Sequence, residues 1–281
     1  MLTVIEVIKK TSEFFATKGV ESPRLNAELL VGHALGLPRM RLYIEFERPV
    51  SDAELGAIRE LVRRRGRREP LQYILGTADF AGLRLKVDRR ALIPRPETEL
   101  LVETVIGRCP AAPARVLDLG TGSGAVALAL ARAYAGAVVT AVDSSPDALQ
   151  LAAENASALG LADRVAFVLS DWLSGLPADA AFDLVVSNPP YLSDDEVAAA
   201  APEVRDHEPC QALASGACGL SDLSRILADA GGHLSPGGLL ALETGIGHHG
   251  ALAAQAAANG YARSESLRDL TGRDRFFLAW R

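Results

Sequence analysis

Val116-Leu117-Asp118-Leu119-Gly120-Thr121-Gly122-Ser123-Gly124 runs from apolar residues into a tight glycine turn, and Ala125–Ala135 follows with the composition of a helix. A buried strand (Arg115–Leu119), a glycine turn and a helix form the first unit of a parallel α/β sheet. The same alternation continues downstream. Ala137–Val142 reads as a second strand ending at Asp143, and Pro146–Leu159 as a helix closed by Gly160. Arg164–Leu169 is a third strand ending at Asp171-Trp172, and Phe182–Ser187 a fourth. Leu220–Gly231 reads as a helix, Gly238–Glu243 as a fifth strand and His248–Asn259 as a helix closed by Gly260. Arg273–Trp280 is the last strand, with Leu267–Arg273 turning back into it as a hairpin.

Upstream the pattern is helical. Leu2, Ile5, Ile8, Phe14 and Phe15 recur at helical spacing over residues 2–17, before Gly19. Ser22-Pro23 reads as an N-cap and first-turn pair for a helix reaching Leu35. Ser51-Asp52-Ala53-Glu54 has capping-box spacing and opens a helix through Leu55, Ile58, Leu61 and Val62 into Arg63-Arg64-Arg65-Gly66-Arg67-Arg68. That basic run reads either as a face for RNA or an acidic protein, or as a solvated helix end favoured by the macrodipole. Residues 1–69 thus form a small helical domain. The alternation Leu83, Leu85, Val87 with turn markers Gly76 and Gly82 makes 70–93 a linking β-hairpin, and 94–281 the α/β domain. Leu92-Ile93-Pro94-Arg95-Pro96-Glu97-Thr98-Glu99 is a stiff segment before the helix Leu100–Arg108; its charges either cap that helix or line a cleft.

Composition excludes several classes. The chain has 281 residues, 49% of them apolar, enough for a sizeable core. No apolar run approaches the ~18 residues of a membrane helix, and the first residues lack the pattern of a signal peptide. Cys109, Cys210 and Cys218 are scattered without metal-ligand spacing, which suits a reducing cytoplasm. His207-Glu208-Pro209-Cys210 is no zinc motif and the adjacent His248-His249 do not share a helix face, so no metal is expected. Residues 1–90 carry 17 Lys/Arg against 12 Asp/Glu, a net of +5, while residues 91–281 carry 12 against 23, a net of −11. An α/β half this acidic offers no groove for a phosphate backbone, so neither a nucleic-acid requirement nor a membrane is expected.

Glycines after the first strand let a ligand approach the backbone, and an acid ending the second strand accepts from ribose hydroxyls. Asp143 follows Gly120 by 23 residues, near the expected ~20. The spacing is Gly-x-Gly-x-Gly rather than the Gly-x-Gly-x-x-Gly of NAD sites, and a third strand also ends in an acid and an aromatic, Asp171-Trp172. Asp118, Asp143 and Asp171 at successive strand ends suit a cationic, adenosine-bearing ligand without phosphates, and S-adenosylmethionine has that chemistry. Ser187-Asn188-Pro189-Pro190-Tyr191 closes the fourth strand. Two prolines stop the strand and stiffen its end. The Asn188 side-chain oxygen and the Pro189 carbonyl are acceptors, and beside the flat Tyr191 ring they form a slot for a planar –NH2 group, a carboxamide or a nucleobase amine.

Val116–Gly124 together with Asn188-Pro189-Pro190-Tyr191 resembles the class I amino-methyltransferases. Glu69-Pro70-Leu71-Gln72-Tyr73-Ile74, Leu92–Glu99 and Gly272-Arg273-Asp274-Arg275 make the whole chain similar to the peptide chain release factor N5-glutamine methyltransferases of HemK type. The resemblance implies a Rossmann-like, seven-stranded, mostly parallel methyltransferase sheet. It also implies methyl transfer from S-adenosylmethionine, leaving S-adenosylhomocysteine, to the glutamine of the Gly-Gly-Gln loop in release factors. By the same resemblance Gly120, Thr121, Gly122, Ser123, Gly124, Asp143, Trp172 and Asn188 contact the cofactor, and Asn188, Pro189, Pro190 and Tyr191 the glutamine; Asp171 is added from the strand-end pattern. Asn188, Pro189 and Tyr191 are the expected catalytic residues. The basic run at Arg63–Arg68 is then expected to dock an acidic face of the release factor. Cys218 and His248 depart from the family pattern. Methylation of a ribosomal protein glutamine or of a nucleobase amine would use the same slot, and a non-enzymatic cofactor-binding module would not need it.

Overall fold

The computed structural model describes residues 1–109 and 111–281. Its helices and strands follow one another as α1 (Val4–Thr17), α2 (Pro23–Leu35), α3 (Arg39–Ile44), α4 (Asp52–Gly66), α5 (Leu71–Leu75), β1 (Thr77–Phe80), β2 (Leu83–Lys86), α6 (Pro96–Arg108), β3 (Arg115–Leu119), α7 (Ala125–Ala133), β4 (Val138–Asp143), α8 (Pro146–Ala158), β5 (Val165–Leu169), β6 (Phe182–Ser187), α9 (Asp194–Ala199), α10 (Pro202–Arg205), α11 (Ser221–His233), β7 (Leu234–Glu243), α12 (His249–Ala258), β8 (Arg263–Arg268) and β9 (Asp274–Trp280). Two compact units result. One contains residues 1–76 and 201–207, the other 77–200 and 208–281.

In the helical unit α1, α2 and α4 pack around Val4, Ile8, Phe15, Leu30, Val31 and Ile58. Ser51 makes the expected capping box with Glu54. Ser22 does not cap with its side chain. It sits in the left-handed region (φ 46°), and the amide of Asn26 reaches back to the Glu21 and Ser22 carbonyls instead. The basic run is divided: Arg63 and Arg67 are exposed at the helix end, while Arg64, Arg65 and Arg68 are drawn into internal pairs. Arg65 is buried and donates to Asn26 Oδ1 at 2.8 Å, the Glu69 carbonyl at 3.0 Å and Glu203 at 2.9 Å. Arg68 pairs with both oxygens of Glu203, and Arg64 with both of Glu69. Three of the arginines therefore satisfy carboxylates of their own unit rather than waiting for a partner's. Glu203 lies 135 and 138 residues away in sequence, so no local pattern announced it. Arg65→Met is expected to lower stability by about 1–3 kcal/mol, because buried acceptors lose their donor. The exposed Arg63→Met should stay within about 0.5 kcal/mol. Thermal melts of the two variants compare them directly, and equal melting temperatures would return the run to the surface.

In the second unit β1 and β2 form the expected hairpin, turning at Ala81 and Gly82, both with positive φ. Its expected first part is different. Residues 71–75 are helical, and Gly76 (φ 74°) ends that turn. The main sheet has seven strands in the order β5-β4-β3-β6-β7-β9-β8. Strands β3 to β7 run parallel, while β9 pairs antiparallel with β7 and β8. The returning strand lies at Arg263–Arg268, a few residues before the place read for it, because Asp269 organises the turn by accepting from Thr271 and Arg273. Apolar clusters cover both sheet faces, one including α6 and α7, the other α11 and α12. Central strands buried on both faces are continuous apolar runs, which is why they were readable. The order reverses between β3 and β6, and the carboxyl ends of such strands frame a ligand crevice.

Candidate active site

The glycine turn after β3 is held from below. Gly120 and Thr121 N–H both donate to the Val142 carbonyl, at 2.8 and 2.9 Å. Asp118 is buried and turned into the protein, where it accepts from Thr121 Oγ1 at 2.7 Å and the Ala127 N–H at 3.1 Å. Burial pushes its carboxyl up to about 7, against those two hydrogen bonds. It braces the turn against α7 and does not line the cavity, which corrects its place among the ligand-facing acids. Asn155, also buried, ties the Ser123 carbonyl and both backbone groups of Lys86 together. Asp143 faces the crevice and accepts from the Gly122 N–H at 2.8 Å and the Ser145 N–H at 2.9 Å. Each oxygen keeps a lone pair for a ligand hydroxyl.

A cavity of about 240 Å³ lies over these strand ends. Gly120, Thr121, Gly122, Ser123, Asp143, Asp171, Trp172, Asn188 and Pro190 are in its wall; Gly124, Pro189 and Tyr191 are not. Trp172 adopts φ 51°, a strained region for a bulky residue, and its indole N–H donates to Asp222 at 3.0 Å. A Cβ on Gly120 would lie 3.3 Å from the Trp172 ring, so a side chain there would crowd the wall. Asp171 differs from Asp143: its carboxylate is largely exposed and both oxygens pair with Arg225. Arg90 and Arg95 also line the cavity, but Arg90 is bound by Asp88 and Glu154, and Arg95 by Glu208. The donor set is thus a carboxylate, backbone N–H groups and an indole wall, with its guanidiniums already neutralised. That fits a phosphate-free nucleoside carrying a positive charge, as S-adenosylmethionine does.

Asn188 stands at the end of β6 with its Nδ2 on Thr98 Oγ1 at 2.9 Å. Thr98 Oγ1 in turn donates to Glu243 Oε2 at 2.6 Å, and Tyr191 OH donates to Glu243 Oε1 at 3.0 Å. The Arg275 guanidinium lies 5.6 Å from the Tyr191 ring centre and donates to the Thr244 carbonyl. Glu243 is fully buried; burial pushes its carboxyl up, while the two hydroxyls and the Arg275 charge oppose that. Thr98, Asp222 and Glu243 had no assigned role in the sequence. Glu243 carried the signal used for Asp143, an acid closing an apolar strand. Asp222 reads as an ordinary first-turn acid of α11, and only the fold brings it to Trp172. Among the described residues no His, Cys, Asp and Glu cluster is arranged to hold a metal, and no helix is long and apolar enough to cross a membrane.

A seven-stranded sheet of this order, with a ligand crevice at the glycine turn and an Asn-Pro-Pro-Tyr strand end, defines a class I methyltransferase. Solved structures share the fold. The catalytic domain of hMettl16 in complex with an RNA hairpin aligns with a TM-score of 0.57 and 19% identity, over 79% of this chain and 81% of that one. A T. thermophilus 16S rRNA N2 G1207 methyltransferase in complex with AdoMet and guanosine aligns with 0.54 and 20%, over 73% and 49%. Family models match more specifically: the PrmC N-terminal domain over residues 6–76 and the methyltransferase small domain over residues 96–206. A release factor glutamine methyltransferase of Geobacter sulfurreducens is 43% identical over 97% of this chain and 95% of its own length. Another, from Chlorobaculum tepidum, is 46% identical over 86% and 85%. The chain belongs to the release factor glutamine methyltransferase family.

Proposed function

We propose that this protein methylates the side-chain amide nitrogen (N5) of the glutamine in the Gly-Gly-Gln loop of peptide chain release factors, using S-adenosylmethionine. The observation that carries the proposal is the Asn188 carboxamide. Its NH2 is taken by Thr98, which leaves its oxygen as an acceptor at the cavity edge. The relatives named above add the substrate class. When bound, S-adenosylmethionine supplies a methyl group activated by a sulfonium. The Gly120–Gly124 turn, Asp143, Trp172 and Asn188 would hold it, with Asp171 at the exposed rim.

An amide nitrogen is a poor nucleophile because its lone pair is delocalised into the carbonyl. Asn188 Oδ1 and the Pro189 carbonyl accept the two N–H groups of the substrate amide and fix its orientation. Pro190 and Tyr191 complete the slot, the Tyr191 ring packing against the amide plane. Positioning of this kind supplies on the order of 7–11 kcal/mol. No strong base is required, since the substrate nitrogen becomes acidic only after it has gained its fourth substituent. The helical domain, residues 1–69, is assigned to recognition of the release factor, with 70–93 as linker and 94–281 as the catalytic domain. The reaction belongs to the cytoplasm, where translation terminates, and needs neither nucleic acid nor metal.

A labelled methyl-transfer assay tests this with purified release factor, the same factor with its Gly-Gly-Gln glutamine changed to alanine, and ribosomes with nucleic acid. Label is expected on the first alone. Label on ribosomal protein or nucleic acid would keep the slot and replace the substrate.

A further inference from the structure

We infer that Thr98 and Glu243 are positioning residues that dictate which end of the Asn188 carboxamide faces the substrate, and that Glu243 orients Tyr191 by the same carboxylate. The inference rests on the function proposed above and adds a cause for the direction of its key hydrogen bond.

The two ends of a carboxamide are nearly the same size, so packing alone hardly selects between them. At Asn188 the selection is decisive. With its oxygen outward it accepts from a substrate –NH2; turned over, it would set one –NH2 against another. The hydroxyl beside it has a single proton. Thr98 Oγ1 donates that proton to Glu243 Oε2, 2.6 Å away. What remains on Oγ1 is lone pairs, and its other neighbour, Asn188 Nδ2 at 2.9 Å, must donate. Asn188 Oδ1 is thereby turned from Thr98. The second oxygen of Glu243 accepts from Tyr191 OH at 3.0 Å, so one buried carboxylate holds two members of the Asn-Pro-Pro-Tyr motif.

The sheet makes this meeting possible. Strands β6 and β7 are parallel neighbours with Ser187 opposite Leu242, which places Glu243 beside Asn188. On the other side of β7, Glu243 is opposite Phe276 of β9, and the charge of the neighbouring Arg275, itself 3.8 Å from Asp269, opposes the effect of burial on the Glu243 carboxyl. Thr98 comes from the first turn of α6. Two sequence segments without an assigned chemical role, Leu92–Glu99 and Gly272–Arg275, thus converge behind the slot. The arrangement is fully buried at Glu243 and nearly so at Thr98, where water cannot substitute for a missing partner.

The test uses the full-length protein, with kcat and KM for release factor, S-adenosylhomocysteine affinity and melting temperature measured for each variant. Thr98→Val keeps the shape and removes the acceptor. It is expected to lower kcat about 10- to 100-fold, the range typical when a group orienting a functional side chain is removed, with cofactor affinity within about twofold. Thr98→Ser should recover most of that loss. In an Asn188→Ala background Thr98→Val should cost nothing further, because its effect passes through Asn188. Glu243→Gln, whose NH2 can donate to Thr98 and reverse the relay, should lower kcat as Thr98→Val does, and it carries the test if the valine variant does not fold. A Thr98→Val enzyme with kcat within twofold of wild type overturns the inference, as does an equal loss in the Asn188→Ala background. A merely structural role would lower the melting temperature and leave kcat of the folded fraction unchanged. Wild type that fails to label release factor removes the functional proposal itself, whereas an active wild type beside an unaffected Thr98→Val removes only this inference.

Discussion

Asn188→Ala is expected to lower kcat by about 10²- to 10³-fold, the loss typical of removing one preorganised hydrogen-bonding group at a reacting centre. The cost to folding is far smaller. Asn188 is half-buried, and Thr98, the partner of its side-chain NH2, keeps its bond to Glu243 when the amide is gone. Losing a single hydrogen bond of this kind costs about 1 kcal/mol. Single-turnover methyl transfer with saturating cofactor separates the two effects. A near-normal rate would show that the carboxamide does not orient the substrate, and a collapse in melting temperature would show that it is mainly structural.

Gly219→Ala is expected to damage both stability and turnover, through a contact that no sequence motif contains. Gly219 has φ +67°, and a Cβ there would lie 2.2 Å from the Tyr191 carbonyl oxygen and 2.8 Å from its carbon. Both obstacles are backbone, so the segment bearing Tyr191 must move. That segment has little freedom: Leu192 exchanges hydrogen bonds with Leu213 and Ser215 immediately beyond it. Backbone strain in the left-handed region contributes about 1–3 kcal/mol, and the overlap adds to it. Gly247→Ala is the control, since Gly247 has φ +89° but nothing within 4 Å of its Cβ position. The control should lose stability without losing turnover. If Gly219→Ala were no worse than Gly247→Ala in both measurements, the close approach to Tyr191 would carry no weight.

His248 stands on the same side of this contact. It accepts from the Gly245 N–H at 3.2 Å and approaches the Cβ positions of both Gly219 and Gly245. Cys218 and His248, the two departures from the family pattern, therefore meet in one place. Neither residue lines the cavity.

Strand identity, the glycine turn, Asp143 and the stiffness of Asn188–Pro190 were legible in the sequence because each is local. An apolar run between breakers fixes a buried strand, positive-φ turns select glycine, and prolines restrict their own neighbours. Short elements such as α3, α5 and α10 were missed, being too brief for helical periodicity to register. Asp118 was misplaced for a related reason. Alternation gives the face a strand residue occupies, but at the strand end it does not tell whether a carboxylate turns to the cavity or back to Thr121 and Ala127. Charge was least legible of all. Six residues containing five arginines look like a surface, yet Arg65 and Arg68 close on Glu203.

By itself the sequence determined the order of its long elements, the parallel α/β class, the glycine turn and the stiff Asn188–Pro190 strand end, since each is read from residues near one another in the chain; the crevice gathers Gly120–Ser123, Asp143, Trp172 and Asn188 only in the fold. Only the tertiary structure decided which way the slot faces. The direction of the Asn188 amide depends on one hydroxyl proton and one buried carboxylate, and Thr98 and Glu243 lie 90 and 55 residues from it. Hydrogen-bond direction is set by partners in space, and the sheet register that supplies them is a property of the folded chain.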